Sequence, residues 1–157
     1  MCRLYGRAPR GQRCLSAVPH GHWHTATFIA ALRYDRMTAP MLLDGPMDGV
    51  AFLAYVQQIL CPELESGDIV ICDNLSSHKV AGVREAIEDS SASILYLPAY
   101  SPDLNPIEMA FSKLKSTLRF AAARTFQSLS HSTAQALSSF QGSHCRNFFP
   151  HAHYATD

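Results

Sequence analysis

A chain of 157 residues, 47% of them hydrophobic, suits one domain, and a domain of about 150 residues hides roughly 68–70% of the surface its unfolded chain exposes. Its ordinary share of charged residues, Gly and Pro excludes a disordered or collagen-like polymer. The formal net charge of zero excludes a global field that would draw the whole chain to nucleic acid.

The charge is nevertheless uneven. Residues 1–36 hold Arg3, Arg7, Arg10, Arg13, Arg33 and Arg36 against Asp35 alone, which reads either as a local basic face or as ordinary solvated surface. Five scattered cysteines contain no CxxC pair, against a zinc ribbon or thioredoxin motif; the pattern is a reduced, cytosolic one. Cys61 and Cys72 lie in apolar runs and read as small core residues. No stretch reads as a signal peptide or a membrane span.

In chain order, residues 1–13 (MCRLYGRAPRGQR) read as a loop. Cys14–Val18 reads as a short strand, PHGHWH (19–24) as a turn and Thr25–Leu32 as a second strand, the two strands forming an antiparallel hairpin. Met41–Leu43 predicts a third, short strand closed by Asp44-Gly45-Pro46. Asp48 or Gly49 then caps a helix with Val50, Leu53, Ala54, Val56 and Leu60 at helical spacing, ended by Pro62. Ile69–Cys72 is fully apolar, as in a buried parallel strand. Lys79–Asp89 reads as an amphipathic helix with Val80, Val83 and Ile87 on one face, and Ser93–Leu97 as a second buried strand.

The next helix has Asn105 as N-cap and Pro106 at its first position. Ile107, Phe111, Leu114 and Leu118 build its apolar face, beside a polar stripe of Glu108, Ser112, Lys115 and Arg119. A last helix spans about Thr125 to Phe140, followed by an irregular His-rich tail. Early antiparallel strands followed by β-α-β-α define an α/β layered domain.

Two carboxylates stand out. Asp73 follows a buried strand, where the groups that do chemistry in α/β sheets gather; its structural alternative is an Asx turn or helix cap. Glu108 follows the next strand and opens a helix; its structural alternative is a capping-box acid. Thirty-four residues separate the two. Oxygen ligands of this kind suit Mg²⁺ or Mn²⁺ and metal-assisted phosphoryl transfer. A third carboxylate has only Asp35, Asp44, Asp48 and Asp103 to draw on, with Asp44 the least remote. His78 and Lys79 are placed to approach a phosphate, and Lys113, Lys115 and Arg119 to track a DNA backbone; all five read equally as turn or surface residues. His20, His22 and His24 alternate as zinc ligands would, but a plain turn is the simpler reading. Ser76, Ser77 and His78 lack the glycines of a nucleophile elbow.

The blocks DNLSSHK (73–79) and YLPAYSPDLNPIEMAFSKLK (96–115) resemble the second and third catalytic blocks of DDE-superfamily transposases of the mariner-like bacterial insertion-sequence group. GRAPRGQR (6–13), PHGHW (19–23), LDGPMDG (43–49) and CRNFF (145–149) resemble further stretches, so the likeness runs through nearly all of 1–157. It implies a ribonuclease H-like fold, a mixed sheet flanked by helices. It also implies cutting of DNA at the ends of a mobile element and joining of those ends to a target, with Mg²⁺ or Mn²⁺. Asp73 is then the second acidic ligand and Glu108 the third. DNA is the expected partner, a homo-oligomer the expected state of the whole enzyme, and no membrane is involved. In this family the first catalytic Asp, its central strand and a helix-turn-helix precede the GRAPRGQR stretch. The expectation is therefore a catalytic domain over 1–157 without its first strand and first Asp, with little activity alone. The alternatives are a remnant or regulatory fragment binding DNA or intact transposase, an upstream reading frame that supplies the Asp, or a different metal nuclease drawing its third ligand from within the chain.

Overall fold

The structure, a computed structural model, describes residues 5–15, 17, 21 and 24–154. Four strands and five α-helices follow one another: β1 (Thr27–Leu32), β2 (Met37–Leu43), α1 (Gly49–Tyr55), β3 (Ile69–Cys72), α2 (Val83–Asp89), β4 (Ser93–Tyr96), α3 (Ile107–Ala121), α4 (Phe126–Ser138) and α5 (Gly142–His151). The strands make two pairs. β1 runs antiparallel to β2, and β3 runs parallel to β4 with Ile69 opposite Ser93 and Cys72 opposite Tyr96.

The hairpin is not the expected one. Cys14, Leu15 and Ala17 belong to no strand and are exposed; Ser16, Val18 and the turn residues His20 and His22, with the zinc reading they carried, lie outside the described residues. β1 instead turns back through Tyr34 and Asp35, where Arg33 N donates to Arg36 O at 2.8 Å. The β2 strand is longer than the sequence suggests. Pro40 argues against a strand interior, but it sits exposed, next to Ala39 at φ 49° and at a register shift between Ile29 and Ala31. A bulge absorbs both irregularities.

Two layers of helix cover the strands. The larger core joins Phe52, Tyr55, Val56 and Leu60 to Val83, Ile87 and Ile94, with Ile29, Ala31, Val70 and Cys72 packed against it. The smaller joins Leu114 and Leu118 of α3 to Ala136 of α4, with Phe28 against it. Alternation along β1 sends Ile29 and Ala31 to the first layer and Phe28 to the second, as a pleated strand requires. The β3–β4 pair buries only one face: Ile69 and Leu95 are 64% and 54% exposed, so these strands are not buried on both sides as their composition implies.

Three helices depart from their sequence reading. Asp48 does cap α1, accepting from Ala51 N at 2.8 Å, but α1 runs into a π-helical stretch at Val56–Leu60 and a 3₁₀ turn at Cys61–Glu63. The buried face is Phe52, Tyr55, Val56 and Leu60, and Val50 lies in solvent. The helix expected from Lys79 starts at Val83, because Gly82 (φ 91°) breaks it from a 3₁₀ turn over Ser76–Lys79. The His-rich tail is largely helical: α5 is anchored by fully buried Cys145 and by Phe149, whose ring meets Tyr34 and Tyr154 edge-on. Among the described residues no helix is long and apolar enough to cross a membrane.

Candidate active site

β3 delivers Asp73. Val70 and Cys72 anchor the strand in the core, and burial pushes the Cys72 thiol up to about 12, with the Asp73 charge adding to it. The first residue past the strand then emerges half-buried at its carboxyl end. Leu75 N donates to Asp73 Oδ1 at a long 3.3 Å, so a weak Asx turn is present. The same oxygen lies 2.5 Å from His78 Nδ1. That approach is close but outside hydrogen-bond geometry, and it leaves Nδ1 buried without a linear acceptor. The imidazole stacks on Phe52, centroids 4.3 Å apart and planes 30° apart, and Tyr96 Oη donates to the His78 carbonyl at 2.9 Å. His78 therefore faces inward, toward Asp73 and the core.

β4 delivers Glu108 by way of the SPDLNP loop. Leu97 N donates to Cys72 O at 2.8 Å, which aligns the two strand ends. A 3₁₀ turn at Pro102–Leu104 reverses the chain, and Tyr154 Oη donates to Leu104 O at 3.1 Å to hold it. Sequence reasoning missed Tyr154, whose only signal is an aromatic in a polar tail. Asn105 does not cap α3 through its side chain; its carbonyl instead accepts from Glu108 N at 3.1 Å. No capping box forms. The Glu108 carboxylate is exposed on the first turn of α3 and makes no hydrogen bond or ion pair with the described residues.

Asp73 and Glu108 line one cleft of about 470 Å³, which runs between β1 and β3 and is walled by Phe52 and Tyr55 on one side and Ile107, Phe111 and Phe149 on the other. Arg33 and Asp68 stand at its far end. Their ion pair, with Arg33 also donating to Glu63 O at 2.9 Å, holds the Asp68 carboxyl below its usual range, with a backbone donor from Glu65 helping. Asp35, Asp44, Asp48 and Asp103 do not line the cleft. Asp35 pairs with Arg36 and Asp48 caps α1. Among the described residues no group of three or more His, Cys, Asp or Glu side chains could hold a metal. The pair of carboxylates has the hard-oxygen chemistry that Mg²⁺ or Mn²⁺ takes, but the described residues supply no third.

The candidate cations divide. Lys115 and Arg119 are exposed on the same stripe of α3 as Glu108. Lys113 turns the other way: its Nζ lies 2.8 Å from His144 Nδ1 and 4.7 Å from the Phe140 ring centre. Lys79 is exposed, with Nζ 5.5 Å above Tyr96, whose ring Arg84 also approaches.

A layered α/β fold with an acid at one strand end and a second acid across the same cleft defines a ribonuclease H-like domain. The chain belongs to the DDE superfamily endonuclease family, which it matches over residues 1–130. Solved structures agree on the fold. The Mos1 mariner paired end complex with Mn aligns with TM-score 0.70 and 18% identity over 94% of this chain and 46% of that one. The Mos1 strand transfer complex aligns with TM-score 0.72 and 16% identity over 98% and 46%, and the catalytic domain of Mos1 mariner transposase with 0.62 and 16% over 83% and 74%. The chain thus spans about half the length of the first two. No curated protein sequence matches it.

Proposed function

We propose that residues 1–157 form the larger part of a transposase catalytic domain that cleaves DNA strands and transfers them during movement of an insertion sequence. The observation that carries this reading is the meeting of Asp73 and Glu108 on one cleft in a chain of the DDE endonuclease family. The two side chains would hold Mg²⁺ or Mn²⁺, which when bound lowers the pKa of an attacking water and stabilises the leaving oxygen. The Mos1 transposase catalytic domain has been solved with raltegravir and Mn and with raltegravir and Mg, which supports the choice of cation.

In this reading His78 positions the Asp73 carboxylate, and the first turn of α3 presents Glu108 unpaired. Lys115 and Arg119 continue the Glu108 stripe along α3 and bind the DNA backbone, with Lys79 beside the Asp73 turn. Contacts of these cations to phosphates make the binding salt-dependent.

The test is Mg²⁺- or Mn²⁺-dependent nicking of labelled DNA. The expected result is none by 1–157 alone, and nicking once an upstream strand ending in Asp is fused to it, abolished by Asp73→Ala and by Glu108→Ala. Inactivity of the fusion, or nicking that survives either substitution, refutes the reading.

A further inference from the structure

The segment that carries the chain from β4 to Glu108 has one hydrogen-bonded tether. Leu97 and Pro106 are buried and pin its two ends, while the residues between them are exposed or half-buried. Pro98, Pro102 and Pro106 have no N–H to donate. Most of its hydrogen bonds are local. Ser101 Oγ donates to Ala99 O, Leu104 N to Ser101 O, Asn105 N to Pro102 O and Glu108 N to Asn105 O. Among the described residues, the bond from Tyr154 Oη to Leu104 O, at 3.1 Å, is the one that reaches residues 98–106 from a distant part of the chain. Leu104 closes the 3₁₀ turn, and Glu108 follows on the first turn of α3.

The end of α5 aims this hydroxyl. His153 adopts the left-handed φ of 66°. His153 N donates to Pro150 O and Tyr154 N to Phe149 O, each at 3.1 Å. That pair of bonds closes a Schellman motif, and the contact of the Tyr154 and Phe149 rings, centroids 5.9 Å apart, is the apolar contact that accompanies it. Buried Cys145 and Ala152 fix the helix against the rest of the fold. Burial raises the Tyr154 phenol above its usual range, so it stays protonated as a donor. We infer that Tyr154 is a positioning residue for Glu108: its hydroxyl holds the Leu104 carbonyl, and the 3₁₀ turn passes that constraint to the first turn of α3, which presents the carboxylate. The catalytic unit then extends to residue 154, beyond the residues 1–130 that match the family. This inference rests on the reading of Glu108 as a metal-binding acid.

The test is Tyr154→Phe, which keeps the ring on Phe149 and removes only the donor. In the 1–157 chain, NMR-detected amide exchange should quicken about fivefold at Leu104, Asn105 and Glu108, the scale of one lost hydrogen bond. Exchange at Leu97, whose N–H donates to Cys72 O ahead of the loop, should be unchanged, which separates a loosened loop from a general loss of stability. In the fusion that carries an upstream strand ending in Asp, the same substitution should lower kcat for nicking at least about tenfold and leave KM for DNA as it was, as a displaced acid does. Unchanged exchange at the three loop amides, equal quickening at Leu97, an unchanged kcat, or a rise in KM alone overturns the inference. An inactive parent fusion refutes the metal-site reading instead, and the exchange measurement then decides by itself whether Tyr154 holds the segment that presents Glu108.

Discussion

His78 Nδ1 lies 2.5 Å from Asp73 Oδ1 while the same imidazole stacks on Phe52 at 4.3 Å. One ring thus ties the carboxylate at the end of β3 to the core side of α1. The five-residue spacing is short enough for the 3₁₀ turn at Ser76–Lys79 to swing the ring back over the strand end. With only 18% of its side chain exposed, His78 is a packing residue as well as a neighbour of the candidate acid.

Replacing His78 with Ala should therefore destabilise the fold, by about 1–3 kcal/mol for a lost aromatic stack and the space it leaves. Urea unfolding measures it. Combined with Phe52→Leu, the two losses should fall short of additive, since both substitutions remove the same stack. Strict additivity would show that the stack contributes nothing.

The Arg33–Asp68 pair predicts an acid-sensitive contribution to stability. Asp68 has a depressed folded-state pKa, so its stabilisation is complete above the unfolded carboxylate value of about 4 and is lost as pH falls through the folded value. Arg33→Met should cost roughly 1–2 kcal/mol near neutral pH, and the gap to wild type should close on acidification. Thermal melts across that range check it, and melting curves separated equally at every pH would refute it.

Gly49 opens α1 against Val80. A Cβ built there would lie 2.4 Å from Val80 Cγ2, well inside van der Waals distance. Gly49→Ala should destabilise by about 1–3 kcal/mol through overpacking, despite the better helix propensity of Ala. Val80→Ala in the same chain should recover part of that loss, because it removes the methyl that clashes. Stability unchanged by Gly49→Ala would mean that the α1 N-terminus shifts freely.

For DNA binding, Lys115→Gln with Arg119→Gln should lower the dependence of log K on log salt by about 2, one for each phosphate no longer neutralised. Lys113→Gln should change it far less, since its ammonium faces His144 and Phe140. Equal effects of the three substitutions would place the DNA path elsewhere than the Glu108 stripe.

Much of this architecture is legible in the chain itself. The apolar run Ile69–Cys72 ends where the strand ends, and the polar stripe of Glu108, Ser112, Lys115 and Arg119 is exposed as its spacing demands. These features are local: a strand's alternation and a helix's period of 3.6 are set by neighbouring residues. The motif blocks carry the family for the same reason, as they are contiguous. Tertiary structure alone decided the rest. It paired β1 with β2 through a turn that has no glycine, buried Phe52 and Tyr55 of α1 while leaving Val50 in solvent, and gave the His-rich tail a helix by burying Cys145. It also turned His78 and Lys113 inward and left Glu108 without the capping role its position suggested. Each of these outcomes depends on packing between segments distant in the chain, and no periodicity records which distant surface a side chain will meet.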